Sequence, residues 1–392
     1  MKGNRHRTKI WLALIVLCSF VVSGCWGARE IEHMIYVNTL GVDLKKGKYI
    51  VYAQILSFSN IAKVEAAGGS NPKQIIAVGR GEGDTFDQAI FNLYRTSQQR
   101  MEWGHIKAIV FHKRALDEKS VQDLIEELNR YYEFRYTVWT FATDSKMEDV
   151  LNTTPLLHIS SLYSQLNDPM DMYTQISIIR PMYLYRFIAD WTEPGRTVLL
   201  PYLSVSDSQW TENKKPQAKQ LIGGSCFLYK KKLNGCMPRI KLQGLRWLEN
   251  TSIRTPLILR EGTKQYGIIV MNHFKSKIKV KEVEGEPVFS MKVETSGFLS
   301  EYLKQLPERK LNEMASSIIK KQIRDTFREG IRIHTDVYNL ESKLYRDNPQ
   351  LWKKLQKSGG FKLTEKSLDT IDVKATLQNS GLSKFYMMGK KH

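Results

Sequence analysis

Phe274-Lys275-Ser276-Lys277-Ile278-Lys279-Val280-Lys281 decides the fold of the second half of this 392-residue chain. Apolar or small residues alternate with lysine. A period of two puts Phe274, Ser276, Ile278 and Val280 on one face and the four lysines on the other, as in a half-buried strand. Glu284-Gly285-Glu286-Pro287 is turn chemistry, and Val288, Phe289, Met291 and Val293 read as the partner strand. After Pro307 the period changes. Leu311, Ala315, Ile319, Ile323, Phe327 and Ile331 recur every four residues, with Met314 and Ile318 beside them and Lys320, Lys321, Arg324 and Arg328 opposite. That is a long amphipathic helix whose apolar stripe packs on a sheet. Ile371, Val373, Ala375 and Leu377 alternate again and predict a last strand.

The first half reads as a mixed sheet. Met34 to Leu40 and Tyr49 to Leu56 are apolar runs bridged by residues 41–48, a hairpin signal. A polar loop covers about Asn60 to Lys73, and Ile75 to Val78 predicts a short strand. Asp84 reads as the cap of a helix carrying Phe86, Ala89, Ile90, Leu93 and Tyr94. His105 to Phe111 is a strand, Val121, Leu124, Ile125, Leu128 and Tyr132 mark a second helix, and Tyr136 to Ala142 is a further strand. The sheet is expected to close near residue 150, with helices and loops up to residue 200. Ser206 to Lys219, centred on Asn213-Lys214-Lys215-Pro216, reads as a linker. The expected division is residues 1–24, an N-terminal α+β region 25–205 with a break near 150, a linker 206–220 and a C-terminal α+β domain 221–392. The fold class is α+β, multi-domain, with mixed and antiparallel sheets packed by helices.

The N-terminus carries Lys2, Arg5, Arg7 and Lys9, then an apolar run from Ile10 to Val22, then Val22-Ser23-Gly24-Cys25. A basic start, a short apolar core and small residues before a cut site describe a secretory signal. The run is too short for a stable span, which needs roughly 20 residues. A cysteine directly after small residues is the lipobox pattern. It predicts cleavage between Gly24 and Cys25 and a diacylglyceryl group on the Cys25 sulfur, placing the mature chain on the outer face of the cytoplasmic membrane. No other cofactor is expected.

The net charge of +19 falls to +15 once the signal is removed. Secretion argues against nucleic acid as the partner, and an anionic lipid surface suits the charge better. The lysine row Lys275, Lys277, Lys279 and Lys281 reads first as protection of a sheet edge and second as contact with an anionic surface. Cys226 and Cys236 flank a hairpin with a three-residue loop at Lys230–Lys232, which sets them opposite each other. They read as two small buried thiols, with a disulfide as the alternative in an oxidising compartment.

Catalytic signals are weak. Gly79-Arg80-Gly81-Glu82-Gly83 lacks the spacing of a phosphate loop and reads as a tight strand-to-helix turn. There is no HExxH or GxSxG. His33, His105, His112, His158, His273, His334 and His392 show no metal spacing. Glu126-Glu127 sits on a solvated helix face. The aromatic cluster Tyr131, Tyr132, Phe134, Tyr136, Trp139 and Phe141 reads as strand core. No active site and no metal site is proposed on this basis.

Six stretches in order carry a family resemblance. Cys25-Trp26-Gly27-Ala28-Arg29-Glu30-Ile31 resembles the mature start of the Ger(x)C spore germination lipoproteins, the C subunits of nutrient germinant receptors. Leu40-Gly41-Val42-Asp43, Gly83 to Ile90, Leu200-Pro201-Tyr202-Leu203, Gly224 to Leu233 with Gly244-Leu245-Arg246-Trp247-Leu248, and Leu344 to Lys353 are similar to later family segments. Gly27 departs from the usual acidic residue, Thr335 to Asn339 replaces a more Gly/Phe-rich stretch, and the Cys226/Cys236 pair is not a family feature. The resemblance implies a three-domain α+β protein without an enzyme site, on the outer face of the spore inner membrane. It implies work with a multi-spanning A subunit and a transporter-like B subunit. The competing reading is an extracytoplasmic substrate-binding lipoprotein of a transporter, which calls for two α/β lobes of repeated βα units.

Overall fold

The computed structural model describes residues 34–56, 75–131, 133–304 and 306–379, together with Trp11. The expected signal, Gly24, Cys25, the loop 60–73 and Tyr132 lie outside the described residues.

In chain order the elements are β1 (Met34–Lys45), β2 (Lys48–Leu56), β3 (Ile76–Gly83), α1 (Phe86–Tyr94), β4 (Arg100–Glu102), β5 (Ala108–His112), α2 (Glu118–Arg130), β6 (Trp139–Thr143) and α3 (Met147–Leu151). Then come α4 (Pro169–Gln175), β7 (Met182–Tyr183), α5 (Leu184–Thr192), β8 (Thr197–Ser206), β9 (Thr211–Glu212), β10 (Lys215–Pro216), β11 (Lys219–Tyr229) and β12 (Lys232–Pro238). The chain continues with α6 (Leu245–Leu248), β13 (Thr255–Glu261), β14 (Lys264–Val283), β15 (Glu286–Tyr302), α7 (Glu308–Arg332), α8 (Leu340–Asp347), α9 (Pro349–Lys357) and β16 (Leu368–Asn379).

The first sheet runs β12-β11-β8-β6-β5-β1-β2-β3, with β4 beside β1 and β7 beside β6. Its centre, β1, β5, β6 and β8, is parallel, and both flanks are antiparallel. Parallel strands need crossovers, and the helices that supply them cover both faces. Ile109 and Phe111 pack with Phe86, Leu124 and Phe187 on one side. Ala108, Val110 and Phe141 pack with Met147, Val150 and Leu151 on the other. This is why β5 is buried at every position.

Three expectations change here. Thr85, not Asp84, caps α1, its hydroxyl accepting from the Gln88 N–H at 3.2 Å. The glycine run 79–83 is part of β3 rather than a turn. Its three glycines sit under α1, and a Cβ on Gly81 would lie 2.0 Å from the Ala89 carbonyl oxygen. Their lack of side chains lets the helix backbone rest on the strand. Third, the first sheet does not close near residue 150, and 206–220 is no linker. β8 and β11 pair antiparallel from Thr197/Tyr229 to Ser206/Lys219, so the polar stretch is the loop of a long hairpin tipped by β9 and β10. The Cys226/Cys236 hairpin therefore belongs to the first sheet, not the second half.

The second sheet is β13-β14-β15-β16, antiparallel except for the β15–β16 pair. The alternating stretch that predicts a strand over 274–281 is the far half of a 20-residue strand. The helix stripe packs on one face of this sheet, with Leu311, Ala315, Ile319 and Ile323 fully buried among Phe289, Met291, Val293 and Ile371. α7, α8 and α9 form the crossover that makes β16 parallel to β15. The Leu344 to Lys353 stretch is its corner. Asn348 accepts the Leu351 N–H at 3.1 Å and Pro349 opens α9, so one helix stops and the next begins at Asn-Pro. The whole is an α+β, multi-domain fold.

Candidate functional site

The residues singled out from sequence do not converge. Lys275, Lys277, Lys279 and Lys281 are exposed on the outer face of β14. That half of β14 pairs only with β15, because β13 reaches no farther than Met271. The lysines thus flank an open strand edge, as edge protection requires. The face is less basic than the strand alone implies. Glu294 stands opposite Lys275, Asp372 lies beside Lys292, and Lys281 reaches Asp369 at 3.5 Å.

Cys226 and Cys236 are joined, with S–S 1.96 Å. Two buried thiols are the wrong reading. The turn is a two-residue one, Lys230 and Lys231 at φ 50° and 59°, which by itself would set Cys226 opposite Gly235. A bulge between Phe227 and Leu228 shifts the register by one and brings Cys226 opposite Cys236.

The Leu40 to Asp43 motif is a closed cluster. Asp43, 3% exposed, accepts from Arg114 Nε at 3.0 Å and lies 3.5 Å from His112 Nδ1. Burial pulls the His112 imidazole below its ordinary pKa. These groups satisfy each other and leave no free chemistry.

What the structure does assemble is a seam between the two sheets. Four segments meet there: the 176–186 stretch leading into α5, the start of β8, α6, and residues 335–341 after α7. Ser177, fully buried, bonds through three atoms to residues 253–255, where the second sheet begins. Its N–H donates to the Arg254 carbonyl at 2.8 Å, its Oγ accepts from the Ile253 and Arg254 N–H groups at 2.9 and 3.2 Å, and its carbonyl accepts from Thr255 Oγ1 at 3.1 Å. Asn339, in the left-handed region at φ 57°, accepts the Thr197 N–H at 2.7 Å. Glu341, 1% exposed, accepts from Trp352 Nε1 at 3.0 Å, Gln356 Nε2 at 2.8 Å and the Tyr229 hydroxyl. Burial, with the Glu341 charge next, pushes the Tyr229 phenol far up, so it stays a donor. Asp336 accepts from the Tyr338 and Glu341 N–H groups. Burial pushes its carboxyl up to about 6.

The Gly244 to Leu248 stretch also finds its reason here. Gly244 lies so close to α7 that a Cβ would meet the Tyr338 hydroxyl at 2.3 Å and the Gln322 carbonyl at 2.7 Å. Trp247 is fully buried and donates to Gln322 Oε1 at 2.7 Å. Arg246 stacks over it, 4.8 Å from the ring, and donates to the Pro256 carbonyl at 3.2 Å. Burial pulls this guanidinium down to about 9, still charged at neutral pH.

A cleft of about 470 Å³ opens along the seam, walled by Ile179, Met182, Leu199, Leu245 and Val337, with Arg180, Arg186, Asp190, Arg196 and Glu249 among its polar groups. A second, of about 370 Å³, lies past Asp190 and Arg196 and is bounded by Glu341 and Trp352. Sequence reasoning missed both, since their walls join segments as far apart as Ile178 and Asn339 in the first and Glu118 and Gln356 in the second. Among the described residues no group of three His, Cys, Asp or Glu could hold a metal ion, and no helix is long and apolar enough to cross a membrane.

Comparison with known proteins places this architecture. Residues 27–205 match the spore germination protein N-terminal domain, and residues 222–381 match the spore germination B3/GerAC-like C-terminal domain. Spore germination protein KC of Bacillus subtilis is 23% identical over 89% of this chain and 90% of its own length. Spore germination protein B3 of the same organism is 22% identical over 91% and 92%. The crystal structure of the GerBC protein superposes with a TM-score of 0.55 at 17% identity, covering 87% of this chain and 97% of that one. Two family matches that together take in most of the chain, on a fold shared with a solved relative, make this protein a member of the Ger(x)C family of spore germination proteins.

Proposed function

We propose that this chain is the lipid-anchored, non-enzymatic C subunit of a spore nutrient germinant receptor. It assembles with an integral, multi-spanning A subunit and a transporter-like B subunit at the outer face of the spore inner membrane. The observation that carries this reading is the pair of spore germination family matches running over residues 27–205 and 222–381. The lipobox around Cys25 supports the anchor. Eight residues lie between Cys25 and the start of β1 at Met34, so a lipid there keeps that end of the body within about 30 Å of the bilayer. The second sheet, antiparallel apart from β16, is unlike the repeated βα lobes of a transporter's substrate-binding protein, which supports the receptor reading over that alternative.

The test is germination of spores lacking this chain, followed as dipicolinate release over a panel of amino acids, sugars and nucleosides. Loss of the response to one nutrient class, restored by the wild-type chain but not by Cys25→Ala, is the expected result. A normal response to every nutrient tested overturns the role. A full response with Cys25→Ala overturns the anchor alone.

A further inference from the structure

The larger cleft on the seam has the dimensions and lining of a small-molecule site. Its volume of about 470 Å³ falls in the range of about 300–1,000 Å³ typical of such pockets, which favour boundaries between packed units. One part of its wall is apolar: Ile179, Met182, Leu199, Leu245 and Val337. The other part is charged. Arg186 Nε and Arg196 Nε both approach the same oxygen of Asp190, at 3.2 and 3.0 Å. Asp190 is 4% exposed and cannot leave. One carboxylate therefore serves two guanidiniums, each through its inner nitrogen, and the outer forks of Arg186 and Arg196 have no ion-pair partner among the described residues. Arg180, in the same wall, stands 3.7 Å from Glu249, beyond hydrogen-bond range. Three arginines against Asp190 and Glu249 leave the lining with one surplus positive charge. Planar guanidinium forks match a carboxylate in a bidentate manner.

We propose that this cleft binds a small organic monocarboxylate, its head on Arg186 with Arg180 beside it and its apolar body against Leu199 and Leu245. A single negative charge neutralises the surplus, whereas a phosphate dianion would overshoot it. The bound molecule touches both halves at once, since Met182 and Leu199 belong to the first sheet and Leu245 and Val337 to the half built on the second. Occupancy therefore ties the two halves more tightly together, a property neither the family nor the lipid anchor supplies.

The experiment uses the full chain purified in detergent and titration calorimetry with 3-phenylpropionate, its uncharged analogue 3-phenylpropionamide, and inorganic phosphate. Saturable one-to-one binding of the carboxylate is expected, with the amide and phosphate each weaker by about tenfold or more. Arg186→Gln leaves Asp190 paired with Arg196 and is expected to weaken carboxylate binding by about tenfold. Leu245→Trp fills the apolar part and is expected to abolish it. Absence of carboxylate binding at millimolar concentration, equal binding of the amide or of phosphate, or binding unchanged in Arg186→Gln overturns the proposal. The germination phenotype above does not depend on this outcome, so the two readings fail separately.

Discussion

Thr255 donates its hydroxyl to the Ser177 carbonyl at 3.1 Å, and by that bond the first strand of the second sheet is fastened to the helical excursion of the first. Ser177 adds three more bonds to the same stretch, two of them accepted by its Oγ from the Ile253 and Arg254 N–H groups. A hydroxyl that satisfies two backbone donors in a fully buried position acts as a rivet, because its removal strands both donors away from water.

Ser177→Ala is therefore expected to destabilise the protein by about 1–3 kcal/mol. The loss should be confined at first to the seam. Hydrogen exchange at Ile253 and Arg254 is expected to accelerate before exchange in β5 does. Unchanged protection at both amides would show that Ser177 does not hold the junction.

Gly81→Ala tests the packing of α1 on β3. The new methyl would sit 2.0 Å from the Ala89 carbonyl oxygen, and the obstacle is backbone, which cannot rotate away. The helix must lift, opening the packing of Ala89 and Leu93 behind it. A loss of about 3 kcal/mol, or no folded protein, is expected, at the upper end of overpacking costs. Chemical denaturation measures it, and a variant as stable as wild type would mean that α1 does not rest on this strand.

The disulfide closes a short loop across β11 and β12. Cross-linking about ten residues stabilises by about 3 kcal/mol through the unfolded chain. Wild-type protein should melt at a lower temperature in reducing buffer. The Cys226→Ala, Cys236→Ala double variant should melt at that lower temperature in either buffer. Equal melting of wild type with and without reductant, after thiol titration has shown the bond to be open, would remove the disulfide from the stability account.

Replacing Lys275, Lys277, Lys279 and Lys281 together by Gln should leave a cooperative melting transition. All four side chains point away from α7. Lys277 faces Lys292 directly across the ladder, so their removal relieves one like-charge pair while it loses the contact of Lys281 with Asp369. Loss of cooperativity would mean that the lysine face is buried against something in the folded protein.

The elements legible in the sequence were those with a strong local period. The stripe Leu311 to Phe327 and the alternation through Phe274 to Val280 both report burial on one face, and burial is what α7 and β14 show. Partner choice has no such local record. Nothing within Gly224 to Tyr229 says that β11 will pair with β8 rather than with the sheet that follows it, because Gly224 to Leu228 are buried at every position and carry no alternation that marks one partner. The sequence reading sets Cys226 and Cys236 opposite each other across a three-residue loop; a two-residue turn and a bulge reach the same register by another route, and no periodicity marks a bulge. Gly79, Gly81 and Gly83 carry turn composition, yet they serve close approach of a helix; only their spacing of two hints at a strand face. The seam was illegible for a different reason. Asn339 and Thr197, or Arg180 and Val337, become neighbours through topology alone, and a polar residue buried by a distant segment looks like any surface residue in its own stretch. The Cys25 lipobox, by contrast, is read directly from sequence and lies outside the described residues.

Asp336 gives the pH dependence. Its carboxyl is buried, burial pushes it up to about 6 from an ordinary value of 3.8, and the Glu341 charge adds in the same direction, against the backbone N–H groups that hold the anion. The folded state therefore binds this proton more tightly than the unfolded chain. Stability from this group is fully present below about pH 4. It is lost as pH rises to about 6, because the native carboxyl must then ionise in a site that disfavours charge. A displacement of about two pH units corresponds to about 3 kcal/mol. Asp336→Asn cannot ionise, so the difference in stability between wild type and variant should shift in favour of the variant by roughly that amount between pH 4 and pH 6.5, and then stay level. Taking the difference cancels the contributions of every other carboxylate that both proteins share. Urea denaturation at a series of pH values reads it out, and a difference that stays flat across that window would show that Asp336 titrates normally and that the loop between α7 and α8 is open to water.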